Sequence, residues 1–327
     1  MTGRKDLIQA LENVRGSRLV CYFTGDRKNQ EAQIGDDVIP CFSEHLTLIG
    51  KVPRLDLLLY SRGGNTLTGF ALANALREFA DAVKVLVPFR AHSCATLISL
   101  AADNIVAGPF AQLSPIDPSI TTPHGPTIDQ GGEMKFLPVS VEDVANYFEL
   151  ARREAGLKEE QHLSAVLGHL CQRVSPLALG AVYRAREQIG MLAEKLLGLH
   201  LTDKERIERI VKKLTRELLS HDYLIGRREA KDIGLPVVDA TSEEADLMWR
   251  IYEDVAEELH LHEPWNWENE SQGNQPKTVT RALLESRELK HVFTTSYHIK
   301  RVSIQQAGQK VETLQFKTVG EGWKRAK

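Results

Sequence analysis

Two turns in this 327-residue chain carry residue types and spacings that could support acyl-transfer chemistry. The first, Ser61-Arg62-Gly63-Gly64-Asn65, follows the apolar run LDLLLY (55–60) and precedes a helical pattern at 66–79. Glycines there let backbone N–H groups come close to a ligand, and a helix N-terminus favours developing negative charge. A Gly-Gly pair can equally be no more than a tight turn. Phosphate-binding loops do not fit, because neither G-x-x-x-x-G-K-[ST] nor G-x-G-x-x-G occurs. The second turn, Arg90-Ala91-His92-Ser93, follows VKVLVP (83–88). A serine at the first turn of a helix can be an N-cap that satisfies an orphan N–H. It can also be a nucleophile raised at the carboxyl edge of a sheet, with the N–H of Cys94 available to an oxyanion. Spacing alone leaves both open.

The elements that would position these turns alternate in type. The spacing predicts a helix over 4–14, a strand over 18–24 and a polar loop over 25–36. Strands over 55–60, 83–88 and 104–107 then alternate with helices over 66–79 and from about Ser93. The strand at 55–60 is apolar without alternation, as a strand buried on both faces should be. This order implies βαβ crossovers and a mainly parallel sheet, an α/β fold. Residues 121–135 are rich in Gly, Pro and Thr and read as a loop or lid. Beyond Val141 the chain turns helical, most clearly over 204–220 and 242–259. Residues 263–276, with Trp265, Trp267 and SQGNQP, are expected to link a body at 1–262 to an extension at 277–327. That extension should hold a helix at 280–288 and a hairpin with strands at 298–304 and 311–318 around Ala307-Gly308.

Composition narrows the function. A net charge of −3 argues against a dedicated nucleic-acid binder. The charge is uneven: residues 277–327 hold eleven Lys and Arg against four Asp and Glu, a net of +7, which leaves −10 on the rest. Four scattered cysteines, Cys21, Cys41, Cys94 and Cys171, fit reduced thiols and suggest neither a disulfide frame nor a metal site. The first sixteen residues lack an apolar signal core, and the run near 95–102 is too short to cross a bilayer. A cytoplasmic protein with no membrane span is the expectation.

Four blocks, read together, carry a family resemblance. They are residues 58–65 (LLYSRGGN), 91–103 (AHSCATLISLAAD), 104–118 (NIVAGPFAQLSPIDP) and 220–238 (SHDYLIGRREAKDIGLPVV). In this order they resemble the serine dehydrogenase proteinase family, a relative of signal peptide peptidase A and of the Clp peptidase. The resemblance implies a ClpP/crotonase-like core of repeated ββα units around a mainly parallel sheet, followed by a helical region and a small C-terminal α+β extension. It also implies a homo-oligomer and a serine peptidase that acts on polypeptide without a cofactor.

The resemblance matches Ser93 to the nucleophile and His221 to the family's late histidine. Asp117, in LSPIDP, stands where Clp peptidases place their histidine and could fill the carboxylate role, with Asp222 the weaker alternative. Backbone N–H groups of Gly63, Gly64 and Cys94 form the implied oxyanion site. Two positions depart from the family pattern: Cys94 replaces a small residue, and Arg62 replaces the usual Pro. Arg62 beside the site would repel basic peptides or bind a substrate carboxylate.

Each role has a plainer counterpart. His221 could stabilise the end of the 204–220 helix, and Asp117 could be a turn residue before Pro118. Lys135 is a rival base, because signal peptide peptidase A relatives use a Ser–Lys pair. A lysine base needs burial to lower its pKa, and GGEMKFLP is not strongly apolar. His92 and His124 have no motif behind them. Two further functions compete with the peptidase: a crotonase-type acyl-CoA enzyme, and a catalytically inactive ClpP-like assembly module.

Overall fold

Leu57, Leu58, Leu59 and Tyr60 are all buried, so both faces of their strand are covered. The computed structural model describes residues 3–117, 119–130, 133–218, 220–270, 276–306 and 309–326. The chain begins with α1 (Arg4–Arg15), β1 (Arg18–Thr24), α2 (Ile39–Ile49), β2 (Val52–Tyr60) and α3 (Thr66–Phe79). It continues with β3 (Ala80–Val87), β4 (Arg90–Ala91), α4 (Cys94–Ser99), β5 (Asn104–Ala107) and β6 (Gln112–Leu113).

A separate compact unit, Ser114–Ile225, follows. It contains β7 (Ser119–Ile120), β8 (Thr127–Gln130), β9 (Glu133–Phe136) and β10 (Val139–Ser140). Its helices are α5 (Val141–Glu149), α6 (Glu160–Cys171), α7 (Pro176–Leu197) and α8 (Lys204–Lys212). Past the two-residue β11 (Ile225–Gly226) the chain returns to the first unit. There it forms α9 (Arg227–Ile233), β12 (Val237–Asp239), α10 (Ser242–Glu258), α11 (Trp267–Glu270), β13 (Lys277–Ser286), β14 (Lys290–Gln306) and β15 (Gln309–Arg325).

In the first unit one sheet runs in the order β12-β5-β3-β2-β1-β13-β14-β15. The strands from β12 to β1 pair in parallel, as the alternating α/β pattern predicts. Period-two alternation sends the side chains of β1 to opposite faces. Leu19, Cys21 and Phe23 join Leu7, Leu11, Met248 and Ile251 in the core under α1 and α10. From the opposite face, Tyr22 meets Phe42 of α2 edge-on at 5.2 Å. Each fully buried Leu, Ile or Phe contributes about 1.5–3 kcal/mol relative to exposure, so this double-sided packing is the main source of the sheet's stability.

Several elements differ from the expectation. The helix expected over 280–288 is strand β13. Leu283 and Leu284 tolerate a helix, but the outer edge of β1 would then keep its backbone groups unpaired. Pairing from Val20↔Ser286 to Thr24↔Ala282 satisfies that edge, and Leu283 enters the core. Helix α2 was not anticipated, although Phe42, Leu46 and Ile49 form a buried stripe at helical spacing. The loop expected over 121–135 contains the antiparallel pair β8–β9, with Ile128 opposite Lys135. The C-terminal hairpin is longer than predicted, with register from His291↔Arg325 to Gln306↔Gln309, and the expected turn at Ala307-Gly308 lies outside the described residues. Residues 271–275 of the expected linker also lie outside them, whereas Trp265 is buried against Tyr297 and Trp267.

One charged group fastens α1 to the middle of the sheet. The Arg15 guanidinium hydrogen-bonds Asp56 on β2 and Glu244 on α10, and the Ser17 hydroxyl donates to the same Asp56 carboxylate at 2.7 Å. Arg15 and Asp56 side chains are only 6% and 2% exposed. Removing one partner of such a pair strands a buried charge. Asp56→Asn is therefore expected to lower the unfolding free energy by about 3 kcal/mol, read as a lower urea midpoint at unchanged slope.

Candidate active site

Ser61, the first residue beyond β2, is fully buried and organises both turns. Its N–H donates to the Arg90 carbonyl at 3.0 Å, and its own carbonyl accepts from the His92 N–H at 2.9 Å. Its hydroxyl accepts from the Gly63 N–H at 2.9 Å and from the Thr24 hydroxyl at 2.7 Å. The tip of β2 is thereby stitched to β4 alongside it, and the Gly63 amide is engaged inside its own turn.

The glycines are required by what lies against them. A Cβ on Gly63 (φ +115°) would sit 2.8 Å from the Cβ of Ser93 and 3.2 Å from the Cys94 nitrogen. A Cβ on Gly64 (φ +150°) would lie 2.3 Å from the Ile34 carbonyl oxygen. Ile34 bridges this turn on its other side, donating to the Gly63 carbonyl at 2.9 Å and accepting from Asn65 N–H at 2.8 Å. Asn65 then caps α3, its side chain accepting from the Thr68 N–H at 3.0 Å. The first turn is held from both flanks.

Ser93 adopts φ 51°, ψ −114°, a backbone conformation that residues with a side chain rarely occupy. Such strain costs of order 1–3 kcal/mol and persists only where the surroundings enforce it. Here Ala95 N–H donates to the His92 carbonyl, Leu97 N–H to the Ser93 carbonyl, and the Thr96 hydroxyl to the Ala91 carbonyl. The Ser93 hydroxyl makes no capping bond to α4. Ser93 thus stands at the N-cap position, its carbonyl accepting the first helical bond, without a side-chain cap.

Cys94 is structural. Its buried thiol donates to the Asn65 carbonyl at 3.1 Å, and burial pushes its pKa up to about 12, which keeps it protonated. Its sulfur rests where a Cβ on Gly69 would come within 2.4 Å, so α3 and α4 meet closely at this point.

The second unit carries an acid–histidine pair. Asp117 is 3% exposed, and its Oδ1 lies 3.1 Å from His221 Nδ1. The hydrogen bond to Asp117 holds the imidazole pKa above its ordinary 6.5, outweighing burial, which acts the other way; the Asp117 and Asp222 charges assist. Asp117 carries the carboxylate oxygen at hydrogen-bond distance from the ring, while Asp222 acts on it through charge alone. Lys135 projects from β9 into solvent and lacks the burial a lysine base needs. His124 is exposed too, whereas His92 is partly buried beside Ser93. Among the described residues, no three or more His, Cys, Asp or Glu are grouped to hold a metal ion.

Sequence reasoning missed Ser61 as the residue that ties the two turns together. Polar residues ending apolar strands, Thr24 on β1 and Ser61 after β2, were the available signal.

Residues 1–143 match the family described as ClpP-like SDH-type serine proteinase, a span that includes both turns, Asp117 and Lys135. An uncharacterised protein of Methanocaldococcus jannaschii is 25% identical over 260 residues, covering 76% of this chain and 78% of its own. A second uncharacterised protein of that organism is 27% identical over 186 residues, which span 56% of this chain but only 51% of the relative. Solved structures similar to this chain include a variant of ClpP1 from Listeria monocytogenes, with TM-score 0.37 and 18% identity over 71% of this chain and 98% of that one. Another is a variant of the 1510-N membrane-bound stomatin-specific protease, with TM-score 0.37 and 14% identity over 74% of this chain and 86% of that one.

The Asp117–His221 pair makes a prediction of its own. Nuclear magnetic resonance titration of His221 should give a midpoint above 6.5, and Asp117→Asn should move it downward. Because the folded pKa is raised, the pair's contribution to stability is fully present below the unfolded-state pKa and fades as pH rises through the folded one. An unchanged midpoint in Asp117→Asn would show that the carboxylate does not set the imidazole's protonation.

Proposed function

We propose that this chain, whose residues 1–143 match the ClpP-like SDH-type serine proteinase family, hydrolyses peptide bonds of extended polypeptides through an acyl-enzyme on Ser93. The carrying observation is Ser93 itself: a serine held in a strained backbone conformation at a strand-to-helix turn, against Gly63. Strain of this kind is maintained where the exact placement of one group matters.

In the proposed reaction Ser93 Oγ attacks the scissile carbonyl while His221 takes the hydroxyl proton. Asp117 holds the imidazole tautomer and stabilises the imidazolium. The Gly64 and Cys94 N–H groups receive the oxyanion; the Gly63 amide, already bonded to Ser61, contributes shape instead. The intermediate collapses as His221 returns the proton to the leaving amine, and water, deprotonated by the same imidazole, releases the acyl group. Each half has its own support, Ser93 from the strained turn and His221 from its bond to Asp117. The family resemblance joins the two roles.

An acyl-CoA enzyme of crotonase type would need a carboxylate from α4, and its sequence CATLIS has none. The wider reading is of a cytoplasmic homo-oligomer. Among the described residues, no helix is long and apolar enough to cross a membrane. Within the second unit Leu150, Leu177, Tyr183 and Met191 are exposed, and burial of such side chains between copies of the chain supports this reading.

Two measurements test this reading. A fluorophosphonate should label Ser93 and fail to label Ser93→Ala, whereas an assembly module with no activity would remain unlabelled. Hydrolysis of a small peptide ester should fall roughly 10⁴-fold or more in both Ser93→Ala and His221→Ala, because members of a triad act as a unit. Lys135→Ala should keep most of the activity. The wild-type rate should fall as pH drops through the raised His221 pKa, since only neutral imidazole accepts the proton. Loss in Lys135→Ala with retention in His221→Ala would replace the triad by a Ser–Lys pair. Light scattering should give a mass above the 36.6 kDa of one chain.

A further inference from the structure

Asp26, in the loop after β1, has an 8% exposed side chain that gathers three donors. Tyr60 Oη donates to Oδ1 at 2.7 Å, while Arg62 Nε and Arg90 Nη1 donate to Oδ2 at 3.0 and 2.6 Å. Burial opposes the charge, but the hydrogen bonds from Tyr60 and Arg62 and the charge of Arg90 win, holding the carboxyl below its usual range. One buried carboxylate thus serves two guanidinium groups, and a positive charge is left over. Among the described residues, Asp26 is the carboxylate within ion-pair distance of either arginine.

The two arginines are held differently. Arg90 lies over the Phe89 ring, 4.3 Å from its centroid, and is about one-quarter exposed. Arg62 touches Asp26 through Nε, and 55% of its side chain remains exposed, with two terminal nitrogens beyond that contact. Both sit on the rim that presents Ser93. Arg62 is bonded to Gly63, whose missing side chain lets Ser93 approach, and the Arg90 carbonyl accepts from Ser61 N–H.

We propose that Arg62, backed by Arg90 and oriented by Asp26, binds a carboxylate of the polypeptide whose carbonyl is attacked by Ser93. The preferred substrate then carries an acidic group within a few residues of the scissile bond. A planar guanidinium fork matches a carboxylate bidentately. Anchoring by Asp26 reduces the ordering cost of binding, because the side chain is already placed. The inference rests on the peptidase reading and names the substrate class for it. The acidic group can be an Asp or Glu side chain or the chain's own C-terminus.

The test compares kcat/KM for one neutral peptide sequence carrying Asp, Asn or Lys at positions scanned on both sides of the scissile bond, each with a free or an amidated C-terminus. The wild type should favour Asp over Asn by roughly tenfold at the responsive position and disfavour Lys. High salt should shrink the preference, since Arg62 is exposed. Arg62→Gln should level the Asp-to-Lys ratio and Arg62→Glu should invert it; as a ratio within each variant, this readout does not depend on overall activity. A preference that follows the free C-terminus identifies the terminal carboxylate as the ligand. Equal rates across the charge series, or a preference that both Arg62 variants retain, overturns the inference while cleavage of the Asn peptide leaves the peptidase reading standing. If no peptide is cleaved and the fluorophosphonate does not label Ser93, both readings fall together.

Discussion

Gly63 and Ser93 approach each other so closely that a methyl group on Gly63 would collide with the Ser93 Cβ at 2.8 Å. That contact depends on two strand tips ending at the same height, which the parallel register supplies: Leu58 of β2 stands opposite Leu86 of β3, and Ser61 bridges Ala91 just beyond. Ser61 converts the register into a site. Its backbone ties the second turn to the first, and its hydroxyl closes the first turn on Gly63. A shift of one residue in either strand would break all of these bonds together, because side chains alternate faces with period two. The buried sheet is therefore a positioning device as much as a core.

Electrostatics at this rim and in the second unit follow one rule, in which burial opposes a charge and specific donors or partners decide the result. Asp26 stays ionised because Tyr60, Arg62 and Arg90 converge on it. His221 holds its proton more tightly because Asp117 accepts from it. Cys94 has no such partner charge, so burial outweighs a backbone hydrogen bond from Gly69, and its thiol remains neutral. Three titratable groups thus have three separate behaviours, each traceable to its neighbours.

The C-terminal strands show local preference overruled by a long-range need. Residues 280–286 contain Arg, Ala, Leu and Glu, all comfortable in a helix. The edge of β1 offers backbone partners from Val20 to Thr24, and the antiparallel register pairs residues 282–286 with it and with β14 beyond a bulge at Arg281. The sheet grows by three strands as a result, and its new edge, β15, carries Lys317, Lys324 and Arg325. Charged residues along an exposed edge discourage indiscriminate strand pairing.

Local pattern was enough for much of this protein. The apolar run at 55–60, the glycines at 63–64 and the serine after VKVLVP each announce their element, because strand burial, turn geometry and helix initiation depend on neighbours in the chain. Helix α10 was legible for the same reason, with the Thr241 and Glu244 capping box and a stripe from Leu247 to Val255. The parallel pairing of these strands followed from alternation of type. Tertiary structure decided what depends on residues distant in sequence. Ser93 stands strained at the start of α4, in a space that Gly63, thirty positions away, leaves open. The bond between Asp117 and His221 spans 104 residues, and the pairing of Asp26 with Arg62 and Arg90 spans 36 and 64. Hydrogen bonds and ion pairs of that range leave no periodicity in a sequence; they exist only once each unit has folded and brought distant segments together.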